Sequence, residues 1–395
     1  MELNESQESL RASPEFPEEQ EQSCVACRGL DLSPQEFVDI TRKKFLQAVS
    51  ETKPLMCWYS VTEECDLNCQ YCFADSGKRL EDELTTYQVR QLLDNIADAG
   101  TRSISLGGGE PTLRGDLEEI IRYASSYKFM FVALNTHGQL LNKRYLERLS
   151  WAGLRQVKVS VDGLRESHDW NRGSGTFDKC VQSLKDCVEV GIPSVIFIAT
   201  ISQLNYEEIP QMIELTMDMG VDIALVEFLP LGRGKQRKDL VLTKEQTMKM
   251  QRYLFEQQKT FGWNRIQFED RYQIAEDEHS LKVAVDPSRP CGWCDFPSGC
   301  ITGLWQYCIT ADGKAVAGDV LVPELQIGDL REQKLSDVWR DAVLLKLLRD
   351  RDKLKGRCGR CEYRFICGGC RRRAFSLTGD IMAEDPNCWY KPTLY

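Results

Sequence analysis

Three cysteines within eight residues, in Cys65-Asp-Leu-Asn-Cys69-Gln-Tyr-Cys72, constrain the chain more than any other stretch. Thiolates this close converge on one soft metal centre without a long backbone detour. Three ligands on a four-iron cluster leave one iron open, and an open position is where a substrate or cofactor binds. A zinc knuckle is the competing assignment. Structural zinc wants four ligands, and only His137, His168 and His279 could add imidazole to the set.

Seventeen cysteines demand a use. Residues 2–21 are rich in Glu and Pro and carry no apolar core, so no secretory signal is expected. Without export, disulfides are not expected and clustered cysteines read as metal ligands in a strongly reducing or anaerobic cytoplasm. A net charge of −10 argues against a general nucleic-acid binder. No apolar run reaches the roughly 18 to 20 residues of a membrane span. Residues 1–22, with seven Glu and only Arg11 basic, read as a disordered acidic tail. Residues 23–54 form an N-terminal segment with a helix over 33–50. Its Cys24-Val-Ala-Cys27 has only Cys57 nearby, which favours a structural or incidental role over a metal site.

From residue 55 to about 285, strand and helix patterns alternate. Strands are expected at 56–61, 103–106, 130–134, 156–161, 194–201 and 223–228. Helices are expected at 87–99, 117–127, 143–151, 177–190 and 209–219, and a charged linker and helix over 235–258. Such units imply an α/β fold: a parallel sheet with right-handed crossovers, and a site at the carboxyl ends of the strands. The unusual residues do follow the strands. Gly107-Gly108-Gly109-Glu110-Pro111 follows the second, Asn135-Thr136-His137-Gly138 the third and Ser160-Val-Asp162-Gly163 the fourth. The fourth segment runs on to Arg172 and Phe177, and the sixth strand leads to Arg233, placed near a substrate mouth. Cys180 and Cys187 share a helix face and read as small buried hydrophobes.

The cysteine loop together with the Gly-Gly-Glu-Pro segment resembles the radical S-adenosylmethionine (radical SAM) enzymes. The resemblance implies a partial (β/α)6 barrel. It also implies that Cys65, Cys69 and Cys72 hold a [4Fe-4S] cluster whose open iron takes SAM. Gly108, Gly109 and Glu110 would receive the SAM amino group. Ser160 and Arg172 would hold its carboxylate and ribose, Asn135 and Asp162 would complete the pocket, and Ile196 to Thr200 would line the adenine.

Residues 286–395 change character, with Cys358-Gly-Arg-Cys361, Cys367-Gly-Gly-Cys370 and Cys388. Paired cysteines with glycines between them suit thiolate clustering, and zinc is again the alternative. Beside such a barrel this array resembles the SPASM domain, which binds auxiliary [4Fe-4S] clusters. The resemblance implies one cluster on Cys358, Cys361, Cys367 and Cys388. A second would use Cys294, Cys300 and Cys370. There Gly318 occupies a position where the family expects cysteine, with Cys291 or Cys308 as possible replacements. The C-terminal motifs look most like the branch that remodels haem precursors, with the maturases of pyrroloquinoline quinone and mycofactocin peptides next. About 50 residues before the core look too short for a fused peptide-recognition domain. The expected partners are a tetrapyrrole, or a small peptide brought by a separate delivery protein, and a low-potential donor of flavodoxin or ferredoxin type. An iron–sulfur electron carrier without radical chemistry is the reading from another class.

Overall fold

Strands and helices follow the alternation closely in the computed structural model, which describes residues 32–127, 130–268, 285, 299–318 and 321–393. The strands are β1 (Met56–Thr62), β2 (Ser103–Gly108), β3 (Phe131–Thr136), β4 (Gln156–Ser160), β5 (Ser194–Ile201), β6 (Asp222–Glu227), β7 (Ile266–Phe268), β8 (Gln306–Ile309), β9 (Lys314–Ala317) and β10 (Gln326–Asp329). The helices used below are α1 (Pro34–Ser50), α2 (Thr86–Asp98), α3 (Leu117–Ser125), α4 (Lys143–Trp151), α5 (Arg165–Arg172), α6 (Thr176–Val190), α7 (Ile209–Asp218) and α8 (Lys244–Phe261). Ser33, Thr85 and Thr243 open α1, α2 and α8 with reciprocal capping boxes to Glu36, Gln88 and Gln246.

One sheet runs β10-β9-β8-β1-β2-β3-β4-β5-β6-β7. From β8 through β1 to β7 every neighbour is parallel, and β8-β9-β10 is antiparallel. Within each parallel strand alternate side chains divide the work. In β4, Val157 and Val159 are buried, whereas Gln156, Lys158 and Ser160 keep some exposure on the other face. The buried set of β1 to β6 joins the apolar faces of α2, α3, α4, α6 and α7 in a single core.

Parts of the architecture go beyond the sequence expectation, among them β7, a seventh parallel strand beside β6. Helix α5 was not foreseen because Arg-Glu-Ser-His-Asp-Trp-Asn-Arg has no apolar period; it buries Ser167, His168 and Asn171 instead. Strands β8 to β10 come from the cysteine-rich half and lie on the β1 edge of the barrel sheet, which covers that edge. Helix α1 packs on the same half: Phe37 meets Tyr363 edge-on at 5.6 Å, and the Arg351 guanidinium sits 4.3 Å over Phe45. The pairs Cys24/Cys27 and Cys291/Cys294 lie outside the described residues. Among the described residues no helix is long and apolar enough to cross a membrane.

Phe197 of β5 is fully buried between sheet and helices. Phe197→Ala is expected to lower unfolding free energy by about 3–5 kcal/mol, measured by urea denaturation; a loss below about 1 kcal/mol would show that this core collapses around the gap.

Candidate active site

The cysteine loop crosses the carboxyl ends of the strands, and Cys65, Cys69 and Cys72 all line one open cleft there. Its backbone is pinned from three sides. Cys65 N–H donates to the Gly77 carbonyl (3.0 Å). From α5, the Asn171 carbonyl accepts from Gln70 N–H (3.0 Å) and the Asn171 side chain from Tyr71 N–H (3.3 Å). Arg233 donates through Nε to the Cys69 carbonyl (3.1 Å) and through Nη1 to Ser76 (2.9 Å), while its own N–H reaches the Cys72 carbonyl (3.0 Å). Arg233 therefore braces the loop backbone, which corrects its expected place as a free cation at the substrate mouth.

The glycines have a more specific task than general flexibility. A Cβ on Gly109 would lie 2.1 Å from the Glu64 carbonyl oxygen, and one on Gly108, at φ +123°, 2.3 Å from that of Thr62. Gly232 would collide with the carbonyls of Cys72 and Phe73 at 2.4 Å. The cysteine loop and the loops after β2 and β6 thus touch backbone to backbone.

Glu110 lines the cleft but is fully buried and held still. It accepts from Thr136 Oγ1 (2.7 Å), His137 N–H (2.9 Å) and Thr112 N–H (3.1 Å). His137, one of the three histidines that could have added imidazole to the cysteine set, lies beside it. One atom each of Cys65, Asp66 and His137 falls within 4.8 Å of the others. His137 Nδ1 accepts from Gln139 N–H (3.1 Å), which puts the ring proton on Nε2, where it donates to Asp66 (2.7 Å). An Nε2 that carries a proton has no lone pair for a metal, so His137 leaves the three-thiol set unclosed.

Ser160, Asn135 and Arg172 line the same cleft, with Ile198 and Thr200 beside them. Asp162 does not. It is fully buried behind the wall, where it binds Arg172 Nε (2.7 Å), Asn171 Nδ2 (2.7 Å) and Thr200 N–H (3.0 Å). Burial alone would raise the Asp162 carboxyl, but Arg172 outweighs it and holds it below the usual range. Asp162 is thus a positioning residue, placed to aim Arg172 rather than to touch a ligand. Arg172 Nη1 and Nη2 make no hydrogen bond to the protein among the described residues. His168 completes the support: its Nδ1 accepts from Asp162 N–H (3.1 Å), which requires the neutral ring. Burial, helped by Arg172, pushes its pKa down to about 4. Cys180 and Cys187 are fully buried core residues of α6.

Cys358, Cys361, Cys367 and Cys388 line a second, largely apolar cavity. Asp385 N–H donates to Cys358 Sγ (3.3 Å) and Gly369 N–H to Cys367 Sγ (3.4 Å). A Cβ on Gly369 would sit 2.8 Å from Cys358 Sγ. Cys370 lies outside that cavity, and its thiol caps the helix Arg371–Thr378 by accepting from Arg373 N–H (3.4 Å). Cys300 is buried, with its N–H on the Cys367 carbonyl (2.9 Å). Cys308 is buried in β8 opposite Trp58, and Gly318 takes φ +92° beside Thr302. The two regions are linked by Arg373, which binds Asp385 (3.0 Å) on one side and Glu227, in the wall of the first cleft, on the other.

Burial pushes the Cys65 thiol up to about 12 and Cys367 up to about 11. Such thiols stay protonated until iron displaces the proton. Both donor sets fit iron–sulfur clusters: three convergent thiols with unpartnered Arg172 nitrogens facing one cleft, and four thiols with backbone N–H groups aimed at sulfur around the other.

Known proteins agree with this geometry. Residues 59–216 match the radical SAM superfamily and residues 300–362 the SPASM iron–sulfur cluster-binding domain. The chain belongs to the radical SAM superfamily, in the group that carries a SPASM domain. It is 32% identical over 354 residues to an AdoMet-dependent heme synthase of Methanosarcina barkeri, covering 87% of this chain and 99% of the relative. A second protein of that organism, an Fe-coproporphyrin III synthase, is 30% identical, covering 87% and 90%. The fold matches that of Streptococcus suis SuiB bound to S-adenosylmethionine, with a TM-score of 0.66 and 20% identity over 86% of this chain and 78% of SuiB.

Gly109→Ala is expected to retain its circular dichroism and lose about one cluster's worth of iron after reconstitution, read by iron assay; full iron content would remove the steric role assigned to Gly109. The unfolded chain protonates the His168 imidazole near pH 6.5 and the folded chain only near 4. Stability is therefore lost as pH falls from 6.5 to 4, by at most about 3 kcal/mol. His168→Gln should flatten that part of a urea-midpoint profile, and an unchanged slope would contradict the assignment.

Proposed function

We propose that this radical SAM enzyme remodels carboxylate side chains of an iron tetrapyrrole. The observation that carries the reading is the likeness to the heme synthase along almost that relative's whole length. The cleft supports it. Beyond the cysteine loop it is flanked by Trp58, Phe73 and Phe228, flat apolar surfaces suited to a macrocycle face.

When bound, a [4Fe-4S] cluster with SAM on its open iron supplies, after one-electron reduction, a deoxyadenosyl radical that takes hydrogen from an unactivated carbon. The protein's own share is position and exclusion of water. Cys65, Cys69 and Cys72 hold the metal. Gly108, Gly109 and Glu110 form the wall for the SAM amino group, with the neighbouring carboxylate held by Thr136 and His137. Ser160 and Arg172 take the SAM carboxylate and ribose, and Asp162 keeps the guanidinium aimed. Asn135 borders the same pocket.

Cys358, Cys361, Cys367 and Cys388 would hold an auxiliary cluster, which would supply an electron-accepting centre. N–H groups pointing at Cys358 and Cys367 favour its reduced state. Cys300 and Cys370, with Cys294, remain the ligand set for a further cluster. A low-potential flavodoxin or ferredoxin supplies the first electron.

The reduced, reconstituted protein is expected to convert SAM to 5′-deoxyadenosine, and Cys69→Ala to form none. Offered iron coproporphyrin III, it should give a product lighter by carbon dioxide and two hydrogens per side chain, read by mass spectrometry. An unaltered porphyrin and decarboxylated siroheme, alongside modification of a cofactor-precursor peptide, would replace the tetrapyrrole reading with a maturase. Absence of 5′-deoxyadenosine would leave an electron carrier.

A further inference from the structure

Of the cations lining the cleft, Lys158 and Arg372 are not used by the proposed SAM contacts. Lys158 stands on the lumen side of β4, two residues before Ser160 and thus about 7 Å deeper in the barrel. Its register partners are Asn135 of β3 and Ile196 of β5. Neither is acidic, and Lys158 has no ion pair or hydrogen bond among the described residues. Burial alone lowers its pKa. The other cations around the cleft are answered from within the protein. Arg172 has Asp162, Arg233 has the loop carbonyls and Asp75, Arg372 feels the charge of Glu227, and Arg373 has Glu227 and Asp385. Next to Lys158, Asn135 spends its amide N–H on Ser105 Oγ (2.9 Å) and leaves its buried Oδ1 without a donor.

A mostly buried ammonium without an anion is costly, as is a buried acceptor without a donor. Both sit side by side in the barrel, and both become satisfied only when a ligand arrives. SAM is a poor match for that depth. Its sulfonium is cationic, and its carboxylate already has Arg172 within the rim. The anion that fits is a carboxylate reaching down past Ser160.

We propose that Lys158 is a specificity-determining residue that binds a carboxylate side chain of the substrate in the barrel lumen, with Asn135 Oδ1 accepting from a donor beside it. The inference rests on the tetrapyrrole reading, whose substrates carry several acetate or propionate groups.

Iron coproporphyrin III and its tetramethyl ester, titrated against the SAM-loaded, reconstituted enzyme, separate the possibilities. Lys158→Met should bind the acid at least about tenfold more weakly and the ester unchanged, and Lys158→Arg should recover most of the loss. Substrate-free cleavage of SAM by both variants should stay within about twofold of the parent, since the chemistry at the rim is untouched. Equal affinity of parent and Lys158→Met for the acid would overturn the inference alone. Loss of substrate-free cleavage in Lys158→Met would assign the lysine to SAM's own carboxylate and also overturn it. A parent enzyme that binds neither porphyrin would take down the tetrapyrrole reading and this inference with it.

Discussion

Backbone touching backbone is the constraint on which the site depends. The cysteine loop has no regular structure to fix it, so its shape is set by what it lies against. The loop after β2 comes so close that a methyl group at Gly109 would overlap the Glu64 carbonyl, and Gly232 approaches Cys72 and Phe73 as closely. Arg233 and Asn171 then spend side-chain hydrogen bonds on loop carbonyls and N–H groups. Three short thiol side chains can converge only if their backbone is fixed at this precision. The barrel supplies it because β2, β4 and β6 bring their following segments to one end of the sheet.

The same economy holds behind the cleft wall. Asp162 takes up Arg172, Asn171 and Thr200 at once, tying α5 to β4 and β5. Its charge balances one guanidinium nitrogen and leaves the two terminal nitrogens facing the cleft. Removing the acid would leave a buried guanidinium uncompensated, a cost of several kcal/mol. Arg373 repeats the device between Glu227 and Asp385, joining the barrel to the segment whose N–H donates to Cys358. Two cysteine-rich sites are thereby held in one frame by buried ion pairs in addition to the apolar core that both regions share.

Much of this was legible in the sequence. The barrel strands and helices announced themselves through apolar period, and the thiol spacing marked both metal-binding regions. What escaped had no such signal. Helix α5 is polar throughout, and its value lies in three buried polar residues whose partners are remote in sequence. Strands β8 to β10 have four residues each, too few for a period to show. Arg233 looked like a cation awaiting an acid, and only the fold reveals that, besides Asp75, it binds carbonyls 157 and 164 residues away. His137 was visible as a candidate imidazole, but its tautomer depends on contacts with Gln139 and Asp66 that only the fold brings together, and Asp162 was read as a ligand because it neighbours one. Lys158 had the same disguise: a strand lysine is ordinary until the structure shows that, among the described residues, no ion pair or hydrogen bond answers its charge.

The central claim is that the iron site on Cys65, Cys69 and Cys72 keeps one iron for SAM. Electron–nuclear double resonance on the reduced cluster, with SAM labelled with nitrogen-15 at the amino group, tests it most directly. Direct chelation predicts a nitrogen-15 coupling that appears with SAM and is absent in Cys69→Ala. A reduced cluster whose spectrum shows no coupling to the label, in protein saturated with SAM, would contradict the account.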